Sequence, residues 1–187
     1  MRVSHVLSAA VLAATVSTFA PAAAQSQVYL GLGGGGTIPV SNLSDAHSTG
    51  YNVLASLGAH IPASPFGVRV DGMFNQLPGK PGIGAAQIWA ANANLVVSLV
   101  PGPISPYLIG GGGYYNGQYH VFATSGGGLS SSGDLHENDF GLNGGAGIRV
   151  GLGSGIGLFA EARYHYIFAG SHNYEMVPIS AGVRFGG

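Results

Sequence analysis

Apolar and polar residues alternate along most of the chain, in segments of roughly ten residues divided by turn-rich breaks. The stretch FAEARYHYIFAG at 159–170 shows the pattern most sharply. Side chains alternate across a strand with period two. Phe159, Glu161, Arg163 and His165 therefore share one face, while Ala160, Ala162, Tyr164, Tyr166 and Phe168 share the other. One face collects the charges; the other is apolar and aromatic.

The same reading predicts strands at 27–36, 49–60, 66–76, 85–99, 106–116, 139–152, 159–170 and 175–185. In the second, Tyr51, Val53, Ala55, Leu57 and Ala59 oppose Asn52, Ser56 and His60. In the third, Phe66, Val68, Val70 and Phe74 oppose Arg69, Asp71 and Asn75. The fourth sets Trp89, Ala91, Ala93, Leu95 and Val97 against Asn92, Asn94 and Ser98. In the fifth, Tyr107, Ile109 and Tyr115 fall on one face, expected to be the apolar one. The sixth sets Phe140, Leu142, Ala146, Ile148, Val150 and Leu152 against Asp139, Asn143 and Arg149. The eighth sets Val177, Ile179, Ala181, Val183 and Phe185 against Ser180 and Arg184. A helical period of 3.6 is sustained nowhere in this region.

The connections alternate as well. Short breaks at 61–65, 100–105 and 153–155 are interleaved with longer ones at 37–48, 77–84, 117–138 and 170–174. Long and short loops are thus expected at opposite ends of one sheet. The longest, containing SGGGLSSSGD, reads as a mobile, solvated loop.

Composition decides which face is inside. Only 7% of the chain is charged, against about 25% in an average soluble protein. A soluble core made from the apolar faces would leave a coat poor in charge and rich in glycine, of which there are 34. Of the basic residues, Arg69, Arg149, Arg163 and Arg184 all lie on the minority face of a strand, together with Asp71 and Glu161. An arginine turned toward lipid costs about 2–4 kcal/mol at the bilayer midplane. Four would cost on the order of 10 kcal/mol, comparable to the whole stability of a domain. The charged face is therefore expected inside, as a cluster of Arg69, Asp71, Arg149, Glu161, Arg163 and Arg184, and the apolar face toward lipid.

Lipid forbids open sheet edges, so an even set of eight strands closes into an all-β, antiparallel, up-and-down transmembrane barrel. Aromatic girdles are expected at Tyr51, Phe74, Trp89, Tyr115, Phe140, Tyr166 and Phe168 on the long-loop side. Phe66, Tyr107 and Phe185 are expected to form the other girdle. The N-terminus reads as a signal peptide over 1–24: Arg2, an apolar run, then Ala22-Ala23-Ala24. The barrel domain then covers 25–187, in an exported compartment.

The glycine-rich VYLGLGGGG, the pattern FAEARYHY and the ending VPISAGVRFGG together resemble the small eight-stranded outer-membrane barrels of Gram-negative-type bacteria, the OmpA/OmpX-type barrel domain. The resemblance implies an outer-membrane location with both termini in the periplasm, outer-membrane lipid as surroundings, and insertion by barrel-assembly machinery. It also implies that Phe185, as the outward terminal aromatic, is the assembly signal, although Gly186 and Gly187 follow it here.

Other chemistry is thin. Cysteine is absent, which excludes disulfides and thiolate metal sites. A formal charge of −1 gives no basic field for nucleic acid. GLGGGG at 31–36 matches G-x-G-x-x-G, but no helix follows to hold a pyrophosphate; the glycines read as room inside a narrow barrel. His120, His136, Glu137 and Asp139 lack a recognisable metal-ligand spacing. Ser171 and His172 are adjacent, but strand-like neighbours point apart and no third catalytic partner is evident. The expectation is a monomeric, non-catalytic outer-membrane protein without cofactor, supporting the cell envelope or meeting a surface ligand through its long loops. A narrow porin-like channel is the main alternative, and an outer-leaflet lipid-modifying enzyme a lesser one.

Overall fold

The computed structural model describes residues 27–124, 130–170 and 173–186, and among residues 119–136 the backbone only. The segment read as a signal peptide lies outside the described residues. Eight strands follow in chain order: β1 Gln27–Val40, β2 Gly50–His60, β3 Phe66–Leu77, β4 Ala86–Ser98, β5 Ile104–Thr124, β6 Ser130–Gly153, β7 Ile156–Ile167 and β8 Tyr174–Gly186. One short helix, α1 Ser41–Ala46, lies between β1 and β2. Each strand pairs antiparallel with the next, and β1 pairs with β8 to close the barrel.

The faces are inverted relative to a water-soluble protein. Arg69, Asp71, Asn92, Asn94, Glu161, Arg163 and Ser180 are buried, while Leu32, Val53, Leu57, Val70, Leu95 and Leu142 are at least half exposed. An apolar belt around the whole molecule far exceeds the few hundred Å² of contiguous apolar surface usual for a soluble monomer. Lipid removes that conflict. No helix among the described residues is long and apolar enough to cross a membrane; it is the strands that turn apolar side chains outward.

Aromatic side chains mark the outer rim of the belt. Tyr51, Phe74 and Trp89 run edge to edge across β2, β3 and β4, with ring centroids 6.2 and 4.6 Å apart. Tyr114 and Phe140 continue the rim at 5.8 Å, and Tyr166 and Phe168 at 5.2 Å. Phe66 and Phe185 are exposed at the short-turn end. Two expected girdle members are not there: Tyr107 and Tyr115 are buried inside the barrel, with Ile109 on the same face. The glycine run 110–113 hides the alternation of β5. Each tyrosine also has a polar tip that finds a buried partner, so the interior accommodates it.

A second difference concerns 117–138. Instead of a loop, the backbone continues as a ribbon in which β5 and β6 stay paired as far as Thr124 and Ser130. Their ladder pairing with β4 ends at Tyr119 and with β7 at Gly141. Phe140 still accepts from the Phe168 N–H and Glu137 bonds to Tyr174 of β8; beyond these contacts β5 and β6 pair only with each other among the described residues. Strands of 21 and 24 residues are about twice the 9–11 that a tilted crossing needs.

The inverted faces lead to a first expectation. The purified protein should fold only with detergent or lipid, and its unheated gel mobility should differ from that of the boiled chain. A folded, soluble monomer in plain buffer would contradict the lipid-facing belt.

Candidate functional site

The interior is organised by two strands that stand opposite each other in the ring, β3 and β7. Period-two alternation points Arg69 and Asp71 inward from β3, and Glu161 and Arg163 inward from β7. Arg69 reaches across the lumen with a two-point bond to Glu161, Nη1–Oε2 2.8 Å and Nη2–Oε1 2.9 Å. Its Nε lies 2.8 Å from Oδ1 of Asp71. Arg163 completes the set, with Nη1 2.8 Å from Asp71 Oδ2 and Nε 3.2 Å from Glu161 Oε1.

Two guanidinium groups and two carboxylates thus neutralise one another. Tyr107 of β5 donates its hydroxyl to Glu161 at 2.7 Å, and Asn94 of β4 donates to Asp71 at 2.7 Å. Buried ions persist when they are both paired and hydrogen-bonded, and these four are.

Toward the long-loop end lies a polar layer. Thr37 donates to Asn75 at 2.7 Å, Ser180 donates to Asn52 at 2.7 Å, and the Tyr115 hydroxyl meets Nδ1 of His165 at 2.8 Å. Packed into the same half is an apolar cluster that includes Leu54, Met73, Leu77, Ile88, Ile167 and Met176, and Leu43 of α1 joins it. The helix is tied down on both sides. Ser41 bonds to Glu175 of β8, and Lys80 of the neighbouring loop donates to the Ser44 carbonyl at 2.7 Å. α1 was missed in the sequence because six residues are too few to show a helical period, and its single buried side chain, Leu43, offers no stripe.

Inward glycines do not leave this lumen empty. A Cβ at Gly58 would lie 2.4 Å from the Tyr29 ring, and one at Gly147 would lie 2.5 Å from the Tyr107 ring. At Gly141 the nearest ring atom belongs to Tyr115, at 2.8 Å. Each glycine is the space that an opposing large side chain occupies.

The remaining arginines stand apart from the four-charge cluster. The sequence placed Arg149 and Arg184 with it, on the reasoning that adjacent strands bring them diagonally toward Glu161. Both are instead near the short-turn mouth, and Glu161 finds Arg69 across the barrel. Arg149 bonds to His60, donates to Ser98 at 2.7 Å and reaches Ser105 at 3.2 Å. The guanidinium carbon of Arg184 lies over Tyr29, 3.7 Å from the ring centroid. Both line an open cavity of about 830 Å³ between the short turns.

Other sequence candidates resolve more simply. GLGGGG is part of β1. His165 is fully buried and packs within the lumen instead of facing a cleft. The side chains of His120 and His136, and residues Ser171 and His172, lie outside what is described. Phe185 points outward from β8, opposite Leu30 of β1 and Ile156 of β7 in register.

The outer membrane protein beta-barrel domain model matches residues 6–185. No curated protein matches the chain. Among solved structures, Neisserial surface protein A is similar at 20% identity with a TM-score of 0.66, over 84% of this chain and 96% of that one. A major outer membrane protein of Thermus thermophilus is similar at 13% identity with a TM-score of 0.62, over 87% and 100%. At such identities the likeness is one of fold.

Proposed function

This chain belongs to the outer membrane protein beta-barrel family, and from that premise we propose that it works as a closed, non-catalytic scaffold that holds an extracellular β-ribbon clear of the membrane. The observation that carries this reading is the pairing of Arg69 with Glu161 across the lumen. A diffusion channel needs a continuous wet path, and here opposite walls are joined by ion pairs under an apolar plug. The ribbon supplies the surface for interaction. Past Tyr119 and before Glu137 its strands have no ladder partner but each other among the described residues, so both edges offer backbone donors and acceptors that a partner strand could pair with.

Reconstitution in a planar bilayer tests the closed lumen directly. The expected record is silent at all voltages that the bilayer tolerates. Steady, unitary openings would instead establish the narrow channel.

Orientation has its own check. A broad-specificity protease added to intact cells should cut between residues 119 and 136, and should spare Ser64 and Ser154. Cleavage at those two short turns in intact cells would mean that the ribbon points inward, and would remove its role as an outer surface.

A further inference from the structure

The four-charge cluster leaves a remainder. Asp71 and Glu161 are engaged by Arg69 and Arg163. Among the described residues no carboxylate forms an ion pair with Arg149 or Arg184. Two positive charges therefore share one cavity mouth without a counter-charge among the described residues.

We infer that the short-turn mouth is a binding site for a phosphate-type oxyanion, held between Arg149 and Arg184. Three features support a built site rather than two solvated side chains. Arg149 is held by His60, Ser98 and Ser105 at once, and an arginine that merely extends to water has no need of three side-chain partners. The guanidinium carbon of Arg184 sits over the Tyr29 ring, itself stacked on His60 at 5.3 Å between centroids, and the buried Nε of Arg184 has no hydrogen-bond partner. A guanidinium covered by a ring on one side keeps its N–H groups for an acceptor, and its planar fork matches phosphate geometry with two parallel bonds.

The cavity of about 830 Å³ admits a free phosphate or a lipid headgroup from the short-turn side. Below it a narrow extension is lined by Arg69, Arg149, Arg184 and Tyr29. A doubly charged anion matches two guanidinium groups better than a single carboxylate does. The inference is independent of what the ribbon contacts at the other end.

The test is calorimetric titration of inorganic phosphate into the full-length protein, folded in an uncharged, phosphate-free detergent at constant ionic strength. One saturable site is expected. Arg184→Gln should weaken it about tenfold or more, the scale of one lost hydrogen bond to a charged group, and Lys80→Gln at the opposite end should leave it unchanged. Unheated gel mobility reports whether each variant is folded. Should the glutamine variant not fold, Arg184→Lys keeps the charge but loses the planar fork, and must still weaken binding. Absence of saturable binding, or equal binding by a folded Arg184 variant, overturns the site. Nanodiscs separate the sources: phosphate that binds in phosphatidylcholine but not in phosphatidylglycerol discs identifies a lipid headgroup as occupant, while binding in both identifies free phosphate. Binding in detergent but in neither disc overturns the site for the membrane-embedded protein.

Discussion

Glu161→Ala should lower the stability of the folded barrel by about 3–5 kcal/mol, the usual penalty for removing one partner of a buried ion pair. The loss is large because the carboxylate has three partners. Arg69 and Arg163 would each be left with one carboxylate, Asp71, and the Tyr107 hydroxyl would lose its acceptor. Two guanidinium groups would then face one carboxylate in the middle of the lumen. By contrast Ala160→Leu, one residue away and pointing outward, adds apolar area where the surroundings are lipid. Its effect should stay within about 0.5 kcal/mol, as for substitutions away from special features. Urea unfolding of both variants in a common detergent measures the difference. For an apolar face packed inward the ranking reverses: the leucine would overpack a core, and the alanine would be a mild surface change. Arg163→Leu should fall with Glu161→Ala, because it leaves Asp71 with Arg69 as its one cationic partner beside the neutral donor Asn94.

Gly145→Ala and Gly144→Ala should differ almost as widely, although the two positions are adjacent in β6. A Cβ at Gly145 would lie 2.1 Å from the Ala162 carbonyl oxygen and 2.7 Å from Arg163 Cα. Both are backbone atoms of β7 that cannot move without disturbing the register of β6 and β7. Overpacking of this kind costs about 1–3 kcal/mol, occasionally more. At Gly144 the nearest atom is 4.0 Å away, and alanine there should be neutral or slightly stabilising through reduced freedom of the unfolded chain. The expected readout is a clearly lower urea midpoint for Gly145→Ala alone. Equal midpoints would mean that the inner and outer faces of β6 are not distinguished by packing.

Most of the fold could be read from the sequence because the charges are few and four arginines, with Asp71 and Glu161, lie on alternating strands. Arg69 with Asp71, and Glu161 with Arg163, define the inner faces of β3 and β7 without ambiguity. The fifth strand was legible in existence but not in facing. Its central glycines interrupt the alternation, and tyrosine fits either a lipid interface or a buried hydrogen bond. Only the nearby acceptors, Glu161 for Tyr107 and His165 for Tyr115, decide the matter, and these come from a strand about 50 residues away in sequence. Pairing within the cluster failed for a related reason. Local register shows which residues are neighbours in the sheet, but it does not show what meets across a closed ring. The Arg69–Glu161 bond joins β3 to β7, four places apart around the barrel, and becomes visible only once the ring has a diameter. The ribbon was hidden by composition, since serine and glycine favour loops and the pairing of two long strands sustains it instead.

The pairing of β1 with β8 differs in kind from every other contact between strands. Seven of the eight pairings join strands that are consecutive in the chain; this one joins the two ends of the described chain. Forming it requires the whole intervening chain to be in place, so it is the natural last step of folding and the one that topology slows most. Until it forms, both terminal strands carry a row of amides that hydrocarbon cannot satisfy, at several kcal/mol each. A half-closed sheet therefore has no stable place inside a bilayer. Insertion and ring closure become a single event, and the sheet must curl as it enters the membrane.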